Sequence, residues 1–199
     1  MQKLSIVAAL ALATACGSGT GTVALSLTDA AADLTGVTAI KITLASIQVH
    51  VADKDEGKDG DPADTSIDSD SKWVSLVPTV KTFDLMTLTN DTTASLGTLE
   101  LPTGKITQIR LFLDTSKPEY NRVELGAQLC NLDTSKVEVK GIKINHPFKA
   151  LAVNKNGKDE AVVDFVASDS ITKTGDCAYK LAPVIKIKKA KVDGKDFAF

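Results

Sequence analysis

Beyond residue 22, apolar and polar side chains alternate with a period of two over most of the chain. Val23, Leu25 and Leu27 fall on one face and Ala24, Ser26 and Thr28 on the other, the pattern of a half-buried strand. Residues 29–33 interrupt it as a loop or a single helical turn. Ile40, Ile42 and Leu44 then alternate on even numbers, whereas Ile47, Val49 and Val51 alternate on odd ones. A one-residue slip turns every following side chain to the other face, so this change of parity at Ala45-Ser46 predicts a β-bulge, or a bend where one long strand passes between sheets.

Trp73-Val74-Ser75-Leu76-Val77 reads as a strand bounded by Pro78, residues 80–85 as another, and Leu88-Thr89-Asn90-Asp91 as a turn. Residues 96–101 run into Pro102-Thr103-Gly104, a tight-turn signature, after which Thr107, Ile109, Leu111 and Leu113 share one face. Val123 with Leu125, Val137 with Val139, and Ile142 with Ile144 predict shorter strands, the last two separated by a parity change at Gly141. Residues 148–153 and 161–167 predict a hairpin about Asn154-Lys155-Asn156-Gly157-Lys158. Tyr179, Leu181, Ile185 and Ile187 share a face opposite Lys180, Lys186 and Lys188. About ten short strands at regular spacing, with no amphipathic helix of ten residues, predict an all-β fold: a single β-sandwich of Greek-key, prealbumin- or immunoglobulin-like type.

Two stretches break the alternation. Lys3 precedes an apolar run from Leu4 to Ala13, and Ala13-Thr14-Ala15-Cys16 follows, the layout of a signal peptide over residues 1–15. The run is shorter than the roughly 20 residues a spanning helix needs. Its end resembles a bacterial lipobox, in which the chain is cut before Cys16 and that cysteine is lipidated; Ala13 stands where leucine is usual. A plain signal peptide leaving a free Cys16 thiol is the alternative. Several acyl chains on one residue would suffice for stable attachment. Gly17 after the cysteine resembles the signal for passage to an outer rather than an inner membrane. Residues 16–21 then read as the lipidated cysteine and a flexible tether, with the sandwich over 22–199.

The second break, residues 53–72, carries eight acidic against three basic side chains, a local charge of −5 within a 199-residue chain of net charge −2. Nearly devoid of apolar residues, it reads as a long acidic loop. Asp53, Asp55, Asp59 and Asp61 are candidate calcium ligands, because calcium takes six to eight oxygens from closely spaced carboxylates. The EF-hand pattern fails, since counting from Asp55 the third position is Gly57 and the twelfth Ser66. A solvated loop without metal is the alternative.

The overall balance, 23 basic against 25 acidic side chains, gives no excess with which to neutralise a phosphate backbone, so no nucleic-acid partner is expected. With Cys16 lipidated, Cys130 and Cys177 form an even pair in an exported, oxidising compartment, where a disulfide is the default. Two free thiols or half a metal site are the alternatives, and neither His50 nor His146 stands at zinc-ligand spacing from either cysteine. No nucleophile elbow, zinc-protease helix motif or phosphate loop occurs, and the two histidines read as surface or turn residues. Aromatic residues make up 5% of the chain, so an aromatic sugar platform has few candidates. Trp73, opening a strand directly after the acidic segment, is the foremost, ahead of Tyr120 and Tyr179; a core or inter-sheet anchor is its alternative role.

Six segments follow one another along the chain: Ser26-Leu27-Thr28-Asp29-Ala30, Thr82-Phe83-Asp84-Leu85, Leu101-Pro102-Thr103-Gly104-Lys105-Ile106-Thr107-Gln108-Ile109-Arg110-Leu111, Gly141-Ile142-Lys143-Ile144 with Pro147-Phe148, Val163-Asp164-Phe165, and Tyr179-Lys180-Leu181-Ala182-Pro183-Val184-Ile185. Together, over residues 22 to 189, they resemble a family of bacterial and archaeal envelope lipoproteins built on a domain of unknown function. The resemblance implies an anchored β-sandwich, comparable with prealbumin-like or carbohydrate-binding-like sandwiches, without an established biochemical role. Asp84 and Asp164 within these motifs are expected to cap a turn or face solvent. The resulting expectation is a lipid-anchored, non-catalytic binding or structural module of the bacterial envelope, with the membrane and an unidentified protein or glycan as partners. A calcium-dependent adhesion or carbohydrate-binding module and a hydrolase with a site built from distant loops are the rival readings.

Overall fold

The computed structural model describes residues 19–29, 34–52, 72–78, 81–137, 140–144 and 150–198. The signal peptide, Cys16, the four candidate calcium ligands Asp53, Asp55, Asp59 and Asp61, and His146 lie outside them, as do Val139, Pro147 and Phe148 of the predicted strands and motifs. The first half holds strands β1 (Thr20–Thr28), β2 (Ala39–Ala52), β3 (Lys72–Leu76), β4 (Thr82–Asp84), β5 (Ala94–Pro102), β6 (Gly104–Leu113) and β7 (Arg122–Leu125). The second holds β8 (Gln128–Asp133), β9 (Ile142–Lys143), β10 (Leu151–Val153), β11 (Lys158–Phe165), β12 (Ile171–Gly175), β13 (Ala178–Leu181), β14 (Ile185–Val192) and β15 (Lys195–Asp196). One helical turn, α1 (Ala167–Ser170), and two 3-10 turns, Leu85–Thr87 and Pro118–Tyr120, complete the described elements. Thr20 and Gly21, expected within the tether, belong to β1.

The strands form two sheets. One runs β15-β14-β11-β1-β5; the other follows β10-β6-β2-β7-β8-β13-β12, with β3 and β4 also on β2 and β9 on β6. Side chains from both sheets meet in one core, among them Leu25, Leu27, Leu101 and Phe165 from the first and Ile40, Leu44, Ile47 and Ile109 from the second. The fold is therefore the expected all-β sandwich. Both sheets are mixed: β1 runs parallel to β11, and β8 parallel to β13. Where the sheets meet at one corner, the Leu76 side chain lies so close to Gly97 that a Cβ there would stand 2.8 Å from its Cδ2.

The bulge expected at Ala45-Ser46 is present: Leu44 pairs with Leu113 and Ser46 with Phe112, leaving Ala45 as the extra residue. Before it, β2 pairs with β7 and β4, and after it with β3 and β6. A second bulge lies in β6, where His50 pairs with Gln108 and Val51 with Ile106, so Thr107 is extra. Thr107 was expected on the buried face with Ile109, yet Ile106 takes that place and is fully buried. Threonine is amphipathic, so nothing in its own chemistry reveals the slip.

Three further expectations are corrected by long-range pairing. The strands around residues 154–158 are not a hairpin, because β10 pairs with β6 in one sheet and β11 with β1 and β14 in the other. The turn itself forms, with Asn156 in the left-handed region at φ 58°. Likewise the residues read as one face from Tyr179 to Ile187 are buried as expected but divide between β13 and β14, in different sheets. Val137 sits in a turn, its N–H donating to Thr134 O at 2.9 Å. Strands β8 and β12 escape the reading because few of their side chains are apolar on one face; β12 buries only Ile171. The β14–β15 hairpin has a local signal that passed unused, Asp193-Gly194 with φ of 50° and 75°, the Asp-Gly pair that favours a two-residue hairpin loop.

Candidate functional site

Because β2 and β6 carry apolar residues inward after their bulges, the alternate positions Gln48, His50, Gln108 and Arg110 face outward. Strand β3 lies along the opposite edge of β2, with Trp73 beside His50 and Ser75 beside Gln48. Strand β9 lies along β6, with Lys143 beside Arg110. Four strands thus assemble one outward patch in which Trp73, His50 and Gln108 form one row and Ser75, Gln48, Arg110 and Lys143 the next.

Within the patch, Arg110 reaches across β2 and places its guanidinium carbon 4.4 Å from the centre of the Trp73 ring. This is a cation–π contact, and the aromatic face holds the guanidinium plane. Arg110 Nε donates to Gln108 Oε1 at 2.7 Å, fixing one edge of the group. His50 stands beside the indole, ring centres 5.0 Å apart and tilted by 53°, and its Nδ1 is hydrogen-bonded to the Thr107 hydroxyl at 2.5 Å. Trp73 is half-buried on this surface. It is therefore neither a core anchor nor a bare platform, since Arg110 occupies its face. Tyr179 is a core residue at 4% exposure, and Tyr120 carries Lys117 Nζ 5.4 Å from its ring centre.

Among the described residues the patch is cationic. Burial lowers the pKa of Arg110; burial also lowers that of Lys143, and the neighbouring charges of Arg110 and Lys140 push it the same way. Among the described residues no carboxylate pairs with Arg110, Lys140 or Lys143. The lysine-rich strand β14 is the opposite case. Its Lys186 stands 3.6 Å from Asp164, Lys188 and Lys189 stand 3.1 and 3.3 Å from Asp91, and Lys191 stands 3.7 Å from Glu160. Hydrogen bonds from Lys188 and Lys189 hold Asp91 below the usual carboxylate range.

The half-buried Asp84 and the buried carboxylates Asp29, Asp164 and Asp159 have other assignments. Asp84 caps the first 3-10 turn, accepting from Met86 N, and pairs with Lys41 at 2.9 Å. Asp29 Oδ1 accepts from Ala167 N at 2.9 Å, tying β1 to α1. Asp164, expected to cap a turn or face solvent, does neither. It lies in register between Thr28 and Lys186 near the end of β11, a strand flanked by β1 and β14, and only 2% of it is exposed. Asp159, at the opposite end of β11, is 4% exposed and accepts from Asp193 N at 3.0 Å. Five residues of strand separate the two aspartates by roughly 16 Å, too far for a catalytic carboxylate pair. Among the described residues no group of three or more His, Cys, Asp or Glu side chains is placed to hold a metal ion.

Burial, more than the neighbouring Asp193 charge, raises the Asp159 pKa above its ordinary value. The ionised form then costs stability at pH values above the folded pKa, and protonation removes that cost as pH falls through it. In Asp159→Asn the cost is absent throughout. The stability difference between mutant and wild type is thus expected to shift in favour of wild type as pH is lowered from 7 to 3, read as melting temperature against pH. Parallel profiles would show that the Asp159 charge carries no such penalty.

Cys130, 2% exposed on β8, and Cys177, in the turn before β13, stand at disulfide distance with Cα atoms 4.7 Å apart. The link would staple two parallel neighbours, since Asn131 pairs with Ala178. Two open grooves lie away from the Trp73 patch. One, of about 470 Å³, is lined by Val162, Lys189, Lys191 and Phe197; the other, of about 280 Å³, by Lys117, Asn131, Asp133 and Thr134.

A family model described as "Domain of unknown function (DUF4382)" matches residues 20–183. The chain belongs to this family. The DUF4382 match begins at the first residue of β1 and ends just beyond β13, so it takes in the whole Trp73 patch and both cysteines of the pair. The lysine-rich β14 and the β15 hairpin lie past it. A search of curated proteins finds no match to the chain.

Of the residues discussed from sequence, Trp73 and His50, the latter read as a surface or turn histidine, are brought by the fold into the side-chain cluster on this surface. Arg110, Lys143 and Gln108 were passed over. Each stands at a polar position in an alternating strand, but only the pairing of four strands makes them neighbours.

Proposed function

We propose that this protein is a lipid-anchored lipoprotein of the bacterial envelope, the outer membrane in preference to the inner, whose β-sandwich acts as a non-catalytic binding module. The observation that carries the reading is the open, cationic sheet surface around Trp73 and Arg110. It is shaped for contact with an extended partner rather than for enclosing a small substrate. An aromatic residue on such a surface also favours a glycan over a purely structural role.

Anchoring at Cys16 agrees with the start of β1. Thr20 is four residues beyond Cys16, a span of at most about 14 Å when extended. Gly19 O accepts from Thr103 N, and Thr20 O from Asn156 N at 2.7 Å, so this end of the sandwich gathers the turns at 102–104 and 154–157. Lipid on Cys16 would hold that end against the membrane and leave the far end of the strands outward.

Mass spectrometry and membrane fractionation of the protein from its native membranes, beside Cys16→Ser, test the anchor. The wild type is expected to carry acyl mass and sediment with membranes, and the mutant to lack both properties. An unmodified Cys16 thiol in the wild type, or a mutant still held by the membrane, would refute it.

A further inference from the structure

We propose that the Trp73–Arg110–Lys143 patch binds a carboxylate-bearing polysaccharide, with Arg110 as the residue that grips the carboxylate. The inference deepens the binding-module reading and rests on it, but not on the lipid anchor. Three observations carry it. First, Arg110 is pre-organised: its guanidinium carbon lies 4.4 Å from the centre of the Trp73 ring and Gln108 accepts from its Nε, while the two terminal nitrogens have no partner among the described residues. A planar pair of parallel N–H donors matches the two oxygens of a carboxylate, and holding it in place beforehand lowers the entropy lost on binding.

Second, the charge here has no ion-pair partner among the described residues, whereas that of β14 does. The lysines of β14 meet Asp164, Asp91 and Glu160, whereas Arg110, Lys140 and Lys143 meet no carboxylate among the described residues. Lys143 stands beside Arg110 in register, so a second anionic group of the same polymer would find a second cation. Third, the surface is a sheet face rather than a cavity. It can be followed by an extended chain that meets Arg110, the outer edge of Trp73, and the hydrogen-bonding groups of Gln48, Ser75 and Gln108.

The chain has a single tryptophan, so its fluorescence reports on this patch directly. The purified protein is titrated with polygalacturonate at low salt, and in parallel with the fully methyl-esterified polymer, which keeps the sugar backbone and lacks the charge. Wild type is expected to change its Trp73 emission and to bind polygalacturonate but not the ester, with affinity falling as salt rises. Arg110→Lys keeps the charge and loses the fork; it is expected to weaken binding about tenfold, as for one lost charge-assisted hydrogen bond. Lys143→Ala should weaken it less, and the control Lys189→Ala/Lys191→Ala on β14 should leave it unchanged. All variants change exposed or outward-facing side chains, and their melting curves verify folding.

Several results would overturn the proposal. Equal binding of the ester would mean that the carboxylate is not what is recognised. Equal loss in the β14 control, or wild-type affinity in Arg110→Lys, would mean general attraction to a polyanion. Polygalacturonate binding that emerges only after deletion of residues 53–71 would make this chain's own acidic stretch the natural occupant. None of these outcomes depends on whether Cys16 carries lipid.

Discussion

Phe165→Ala is expected to destabilise the sandwich by about 3–5 kcal/mol, the range for removing a fully buried aromatic ring from a core that relaxes only partly. Phe165 is 1% exposed and is the largest of the fully buried side chains. It ends β11, which lies between β1 and β14, and pairs with Ile185. Inward residues of both sheets meet in the same core. Urea unfolding should show a lower midpoint with an unchanged slope, the mark of lost stability rather than of a changed unfolded state. A loss below about 1 kcal/mol would mean that the ring is not enclosed, since exposed substitutions cost that little.

Reduction of the Cys130–Cys177 pair should cost a comparable amount by a different route. The cysteines are 47 residues apart. Closing a loop of that length removes unfolded-state entropy equivalent to about 4 kcal/mol in the chain-entropy model. Oxidised protein is expected to show no thiol titre at these positions, and its urea midpoint to fall on reduction. The double variant Cys130→Ala/Cys177→Ala should fall at least as far as the reduced protein, because Cys130 is itself buried. A midpoint insensitive to reductant would show that the two thiols are not joined. Unlike the Phe165 change, this one acts at the β8–β13 pairing.

Much of the fold was legible locally. Alternation placed Val23, Leu25, Leu27, Ile47, Val49 and Ile109 in the core, and each is at most 1% exposed. The parity change at Ala45 located the bulge because the flanking residues are strongly apolar on opposite parities. Thr107 concealed an equivalent bulge because threonine is tolerated on either face. The turns at Asn90-Asp91 and Asn156 were visible because these residue types accept left-handed backbone, and all three have φ near 60°.

The candidate site was legible only in part. Trp73 could be marked as an aromatic residue at the start of a strand. Its partner Arg110 is 37 positions away, on a strand that is not hydrogen-bonded to β3, and the two side chains meet only because β2 lies between β3 and β6. The pairing of charges on β14 was equally invisible: its lysines are neutralised by Asp91 and Glu160, both distant in sequence.

Side-chain periodicity, turn chemistry and residue type are properties of a few consecutive positions, so the amino-acid order alone settles where the chain can reverse and, where the alternating residues are strongly apolar, which of them face inward. Pairing is different in kind. The turn at 154–157 can form equally well in a hairpin or in a crossing between sheets, and the contacts of β10 with β6 and of β11 with β1 and β14 select the crossing. Such contacts join residues separated by tens of positions, and their free energy comes from burying the inner faces of both sheets against each other. That cooperative packing, rather than any local signal, puts a tryptophan, an arginine and a lysine from three strands onto one surface.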